Sequence, residues 1–288
     1  MSLPSVSVIL PNYNHAHYLP QCLRAILDQS VRAKEVIVID DASTDNSIEI
    51  ISEFAKQDSS IKLILNKKNL GNVSSNLKGL EQATGDYVLL ASADDYLLPG
   101  IFELSLELLA KYPQAGLCSA LSRRINEKGD YLNTVPEPPY LSRHACYLPP
   151  EEIVDIMLNR ENWSIMPSTA LMNREMALET KAFTTASGMF IDGFSAPLLA
   201  LNYGACFIPK ELGVYRLLPK SGSADARISP KDHLEFVAPM WNLMETTYAD
   251  KFPPEFRKGF KVRHLYQYGA MATKQLDNHL DEFAKDLK

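Results

Sequence analysis

The sequence predicts an α/β fold: a doubly wound, mostly parallel sheet followed by a helical extension at the C-terminal end. Three features carry this expectation. Short apolar runs alternate with helix-spaced stretches over about the first 120 residues. Those runs are too apolar to be half exposed, as expected of parallel strands covered on both faces. From Lys231 onward the apolar residues follow a helical pattern alone.

Taken in order, Ser5-Val6-Ser7-Val8-Ile9-Leu10 reads as the first strand, and Leu19, Cys22, Leu23 and Ile26 mark the buried stripe of a helix. Val36-Ile37-Val38-Ile39 is the second strand, and Asn46 with Glu49 forms a capping pair for a helix carrying Ile48, Ile51, Phe54 and Ala55. A third strand, Ile61–Leu65, leads through NKKNLGN into a helix with Val73, Leu77 and Leu80 that stops at Gly85. Residues 87–91 form the fourth strand, followed by a helix from near Ile101 and a strand over 117–121. Five prolines within residues 133–150 then mark an extended loop. A helix over 151–158, a strand over 169–172, a helix over 192–202 and a strand pair near Phe207 and Val214 come next. Residues 217–230, rich in Gly, Ser and Pro, read as a mobile loop. Phe236, Met240, Leu243, Met244, Leu265, Tyr268 and Leu276 supply the apolar contacts of the last helices.

Composition narrows the function classes. The 288 residues are 46% hydrophobic, enough for a sizeable core, and the net charge of -6 is spread with both signs mixed, which argues against a nucleic-acid partner. Cys22, Cys118, Cys146 and Cys206 form no C-x-x-C pair, so neither a zinc site nor a disulfide framework is signalled, and reduced thiols of a cytoplasmic protein are expected. No apolar run approaches a membrane span, and the N-terminal residues lack an export pattern.

In a doubly wound sheet, ligands bind at the carboxyl ends of the strands, where the strand order reverses. The first strand ends in Pro11-Asn12-Tyr13-Asn14, the second in Asp40-Asp41 and the fourth in Asp94-Asp95, so these endings are expected along one edge. Adjacent carboxylates there suit a hard divalent cation that keeps several waters and is completed by phosphate oxygens. One acid holds the metal while its neighbour accepts a ribose hydroxyl, in either order. Asp41, or Asp40 in its place, can accept the N–H of a pyrimidine base, and Tyr13 offers a face on which that base can stack. Each has a purely structural alternative: Asp94-Asp95 as a solvated turn before the next helix, and Tyr13 packed under its loop. His15 and His17, two residues apart, share no helix face and do not read as a metal pair. The absence of G-x-G-x-x-G after the first strand, and of any G-x-x-x-x-G-K-[ST], argues against dinucleotide and P-loop chemistry.

The segments VSVILPNYNHAHYLPQCLRAILDQS, EVIVIDDASTDNS, NLGNVSSNLKGLEQATGDYVLLASADD and FIDGFSAPLLALNYG, in that order, closely resemble the family 2 glycosyltransferases over roughly residues 5–217. The resemblance implies a GT-A fold, Rossmann-like, a nucleotide-sugar donor, a Mg2+ or Mn2+ ion and inversion at the anomeric carbon. It puts Pro11, Tyr13 and Asp41 at nucleoside-contacting positions, with Asn76 also on the nucleotide-sugar, Asp94 at the ribose and Asp95 at the metal. Asp192 aligns with the usual catalytic base; its structural alternative is a helix N-cap. Apolar Met189, Phe190, Ile191 and Phe194 around it are expected to raise its pKa by desolvation. Departures are Ser92 where many relatives have Asp, Asn76 where many have Arg, Ile191 where many have Glu, and Leu218 where a His often follows the Tyr215-Arg216 pair.

The expected division is a GT-A transferase domain over residues 1–217, with a loop and helical extension over 218–288 packed on it. The implied activity is transfer of a sugar from a UDP- or dTDP-linked donor to a saccharide or lipid-linked acceptor, in surface polysaccharide or glycoconjugate synthesis. Arg257, Lys258, Lys261 and Arg263 with Phe256 and Phe260 offer a peripheral contact for an anionic membrane, although a solvated helix face is the plainer reading. A non-catalytic nucleotide-sugar-binding or scaffold protein of the same fold is the rival reading, suggested by Ile191 and Leu218.

Overall fold

A computed structural model describes residues 2–132, 141–159, 167–188, 191–218 and 230–286. Strands β1 (Val6–Asn12), β2 (Glu35–Asp40), β3 (Ile61–Leu65) and β4 (Tyr87–Leu90) are parallel and lie in the order β3-β2-β1-β4. Helices α1 (Leu19–Leu27), α2 (Ser47–Gln57) and α3 (Asn72–Gln82) make the crossovers. The sheet continues beyond β4 through β8 (Leu171–Asn173), β6 (Leu117–Ile125), β9 (Ala205–Arg216) and the short β5 (Tyr96–Leu97), with β7 (Cys146–Leu148) also paired to β9. β8 is antiparallel to β4 and to β6, and β9 runs parallel to β6. This is the mixed, mostly parallel α/β sheet that the alternating pattern predicts.

The two-residue side-chain period of the strands divides the core. Val8, Leu10, Val36, Val38 and Leu89 face α1, α2 and α4 (Ile101–Lys111), where Leu19, Leu23, Ile26, Ile51 and Phe102 meet them. Ile9, Ile37, Ile39 and Val88 face the opposite way, onto the cluster that includes α3, α5 (Pro150–Asn159), α6 (Arg174–Glu179) and α7 (Ile191–Tyr203). The C-terminal helices α8 (Pro230–Glu245) and α9 (Pro254–Asp286) extend this second cluster. Phe194 of α7 packs edge-on against Tyr248 with ring centroids 5.0 Å apart, and 5.6 Å from Phe252.

Several local expectations are corrected. Asn46 makes no side-chain cap; Asp45 Oδ1 accepts from Ser47 N instead, at 3.0 Å, which leaves the Asn46–Glu49 pair without a role. α3 ends at Gln82, and Gly85 is needed for close packing: a Cβ there would sit 2.6 Å from the main-chain nitrogen of Ser7. The stretch containing Phe207 and Val214 is one strand, because its register against β6 shifts around Leu121 and absorbs Pro209, which has no N–H for the ladder, in a bulge. Pro167–Thr169 is a 3-10 turn ahead of β8, and Thr169 Oγ1 donates to Ala120 O at 2.8 Å. Leu265 is exposed, not buried. Residues 133–140, most of the expected mobile loop, Met189 and Phe190 lie outside the described residues, as do the side chains of Phe236 and Leu276.

All four cysteines are free thiols. Among the described residues no helix is long and apolar enough to cross a membrane. Much of the basic cluster on α9 is engaged within the molecule: Arg257 and Lys261 pair with Glu245 at 2.8 Å, Arg263 donates to Met157 O, and Phe256 is buried, while Lys258 is exposed.

Candidate active site

Strand direction decides which residues meet. β1, β2 and β4 are parallel, so Tyr13, Asp41 and Asp94-Asp95 follow strand ends on one edge of the sheet. β8 reverses direction between β4 and β6, which makes β6 and β9 run the same way as β4. Arg216, the last residue of β9, therefore reaches the same edge. α7 finishes at Tyr203, and β9 starts at Ala205 beside Leu117, the first residue of β6. The far end of α7 thus lies at the opposite edge, and Asp192 sits in the first turn, at the other end of the helix.

The two acids at the end of β2 take different partners, and Ala42 after them has a left-handed φ of 63°. Asp40 turns inward. Its Oδ2 accepts from Asn12 Nδ2 at 2.8 Å and from Ser43 Oγ at 2.7 Å, and Oδ1 accepts from Ser43 N at 2.9 Å. That carboxylate braces the turn, which leaves Asp41 as the acid facing the β3–α3 loop. Asp41 Oδ1 accepts from Asn66 Nδ2 at 2.8 Å and Leu70 N at 2.9 Å, and Oδ2 accepts from Gly71 N at 2.8 Å. The left-handed φ of 85° at Gly71 suits a residue without a Cβ and allows this turn of amides around the carboxylate.

Nearby, Pro11 is half-buried within β1 and Tyr13 is 43% exposed, its ring open to a stacking partner. Asn14 Oδ1 accepts from Thr44 N at 2.7 Å and locks the loop after β1 to the loop after β2. Asn76, 5% exposed on α3, donates to Asn72 Oδ1, and its own Oδ1 is buried without a partner.

Asp94 is half-buried and Asp95 buried. Asp95 Oδ1 accepts from the main-chain N–H of Arg216 at 2.7 Å. The Arg216 side chain donates from Nε to Asp94 O, from Nη1 to the carbonyls of Asn126 and Glu127, and from Nη2 to Gln21 Oε1; its guanidinium lies 4.9 Å from the Tyr18 ring centroid. Burial and the neighbouring Asp94 charge hold the Asp95 carboxyl well above the usual carboxylate range. Arg216 was legible only as half of the Tyr215-Arg216 pair, with no hint of its partners.

At the head of α7, burial raises the Asp192 carboxyl above its ordinary value, and Oδ1 accepts from Gly193 N at 2.7 Å. Asp192 lies inside the helix, after Ile191, rather than at its N-cap. Ile191 and Phe194 are both buried beside it. Such a carboxyl is suited to proton transfer nearer neutral pH than an exposed aspartate.

Among the described residues no three His, Cys, Asp or Glu side chains converge as a metal cage. His15 and His17 instead set their rings edge-on to Tyr18. The Asp94-Asp95 pair nevertheless fits a magnesium-like ion, which needs one or two carboxylates and takes the rest of its oxygens from water and phosphate. Asp95 has one oxygen fixed by β9, and its burial together with the Asp94 charge disfavours its ionised form, a cost that a bound cation would offset.

The profile of the family "Glycosyl transferase family 2" matches residues 7–179. An uncharacterized glycosyltransferase of Haemophilus influenzae is 38% identical over 109 residues, covering 38% of this chain and 44% of that protein. Chondroitin synthase of Pasteurella multocida is 26% identical over 219 residues, covering 76% of this chain but 20% of the synthase. The chain therefore spans less than half the length of these two relatives. The crystal structure of S. aureus TarS 1-349 in complex with UDP-GlcNAc superposes with a TM-score of 0.66 at 18% identity, over 84% of this chain and 67% of that one, a likeness of fold.

Proposed function

The chain belongs to glycosyl transferase family 2, and from that premise we propose that it moves a sugar from a UDP- or dTDP-linked donor to a hydroxyl of a saccharide or lipid-linked acceptor, inverting the anomeric carbon. The observation that supports this reading is that Asp41 and Asp94-Asp95 follow parallel strand ends on one edge of the sheet, with the raised carboxyl of Asp192 at the head of α7. The UDP-GlcNAc held by TarS supports a UDP-sugar, and the chondroitin synthase relative supports a role in polysaccharide assembly.

In this mechanism Asp41 accepts an N–H of the base, Tyr13 stacks on it, Pro11 and Asn76 flank the nucleoside, and Asp94 takes a ribose hydroxyl. Asp192 removes the proton of the acceptor hydroxyl as the new C–O bond forms and the C–O bond to the diphosphate breaks. Asp95, one oxygen fixed by Arg216, would hold Mg2+ or Mn2+, whose charge offsets that growing on the departing diphosphate. Residues 1–217 would carry this machinery, with 218–288 packed against it.

A thermal-shift screen of UDP- and dTDP-sugars with and without Mn2+ tests donor class, because a ligand of the folded state raises the melting temperature. A shift with UDP-sugars that requires Mn2+ is expected. No shift with any nucleotide-sugar would overturn the reading. Metal-dependent UDP binding that survives Asp95→Ala would remove Asp95 from the metal site.

A further inference from the structure

Behind Asp41 a short buried network ends in a cation, and we propose that this cation, Lys78, sets the nucleobase selectivity of the pocket by fixing the orientation of Asn66. The proposal rests on the reading of Asp41 as the base contact. Lys78 Nζ donates to Asn66 Oδ1 at 2.7 Å, Asn66 Nδ2 donates to Asp41 Oδ1 at 2.8 Å, and the same amide nitrogen lies 3.3 Å from Ser75 Oγ. Asn66, Ser75 and Asp41 are buried, whereas Lys78 is half-buried on α3.

The polarity of this chain follows from donor and acceptor capacity. An ammonium group donates only, so it holds the carbonyl end of the Asn66 amide and turns the NH2 end toward Asp41. A flipped amide would set its carbonyl oxygen against the Asp41 carboxylate. Asp41 also receives the main-chain N–H groups of Leu70 and Gly71, so three of the roughly four acceptor positions of a carboxylate are filled, two on Oδ1 and one on Oδ2. What remains is an acceptor on Oδ2, in a fixed direction.

An acceptor so fixed can meet only a donor. Uracil and thymine present a ring N3–H; cytosine presents a lone pair at the same position. Unpaired buried polar groups make this discrimination steep where shape alone would not. Lys78 bonds the Asn66 amide and not the Asp41 carboxylate. It is a positioning residue, acting through Asn66: without it the amide is free to turn, Asp41 loses one of its three donors, and the carboxylate can rotate to tolerate a base that offers no N–H.

The test compares affinities for UDP and CDP in the presence of Mn2+ by titration calorimetry. Lys78→Met, which keeps the apolar stem, is expected to narrow the UDP-over-CDP preference by about tenfold, the scale of one hydrogen bond to a charged group. Its kcat at saturating donor should stay at the wild-type value, and Lys78→Arg should restore the preference. Asn66→Leu should narrow the ratio in the same way. A wild-type UDP:CDP ratio in Lys78→Met would overturn the proposal. The underlying reading fails separately: Asp41→Asn that binds UDP as tightly as wild type removes Asp41 from the nucleobase site altogether.

Discussion

The main-chain N–H of Arg216 reaches Asp95 Oδ1 at 2.7 Å across 121 residues of sequence, so the last strand of the sheet directly fixes one oxygen of the acidic pair. The Arg216 side chain donates to three carbonyls and one amide oxygen, and to no carboxylate. Its side chain therefore holds the loop by hydrogen bonds, while its charge, without a direct ion pair, only partly offsets the burial and the Asp94 charge that raise Asp95. Arg216→Met leaves these oxygens without their donor and is expected to cost roughly 2–4 kcal/mol in urea unfolding, with loss of Mn2+-dependent UDP binding. Unfolding curves that coincide with wild type would refute the clamp.

Asp192→Asn separates chemistry from binding. On the proposed mechanism it should lower kcat by about 10²- to 10⁴-fold, the usual range for general base catalysis, with little change in UDP affinity. Equal turnover would remove the base assignment.

The same substitution has a pH signature in stability. A carboxyl whose pKa is raised by folding keeps a proton that the unfolded chain has already released, so stability falls as pH rises from the ordinary carboxylate value through the raised one. Asp192→Asn should accordingly melt higher than wild type at pH 7, and the difference should vanish below about pH 4, near the unperturbed Asp value. Melting curves across that range check the sign.

Glu35 behaves oppositely. Burial alone would raise its carboxyl, but Lys62, Ser7 and Thr84 outweigh it and pull the pKa to about 2. The stability it contributes is complete above the unfolded carboxylate pKa and is lost as pH falls toward the folded value. Glu35→Gln should therefore flatten the acid limb of a stability–pH profile, and an unchanged limb would contradict the network.

Phe252→Ala tests how the C-terminal helices are held. Its ring is buried against Phe194 and Phe256. Truncation should cost about 3–5 kcal/mol, read by urea unfolding.

The parallel half of the sheet was legible because its signals are local: Val36–Ile39 needs no knowledge of its neighbours to read as a buried strand. The location of Asp41 and Asp94-Asp95 along one edge followed, since they come after parallel strands. Strands of two or three residues, β5 and β7, have no period to detect. Pro209 and Lys210 looked like a turn, and only the partner strand turns them into a bulge. The bonds of Arg216 and the Asn12–Asp40 brace escaped because main-chain carbonyls and distant amides leave no residue signature. Asp192 was singled out through resemblance, not through any pattern of its own.

The placement of β9 bears on the order in which the molecule assembles. Among the described residues β5 pairs in the sheet with β9 alone, yet some hundred residues of chain separate them. During synthesis the segment holding Asp94 and Asp95 therefore waits, its far side open, until Ala205–Arg216 has emerged and slotted between β6 and β5. A nascent chain halted before that point would carry the Asp41 turn complete and the acidic pair unfinished. Donor binding by truncated chains should thus switch on abruptly once the final strand is included.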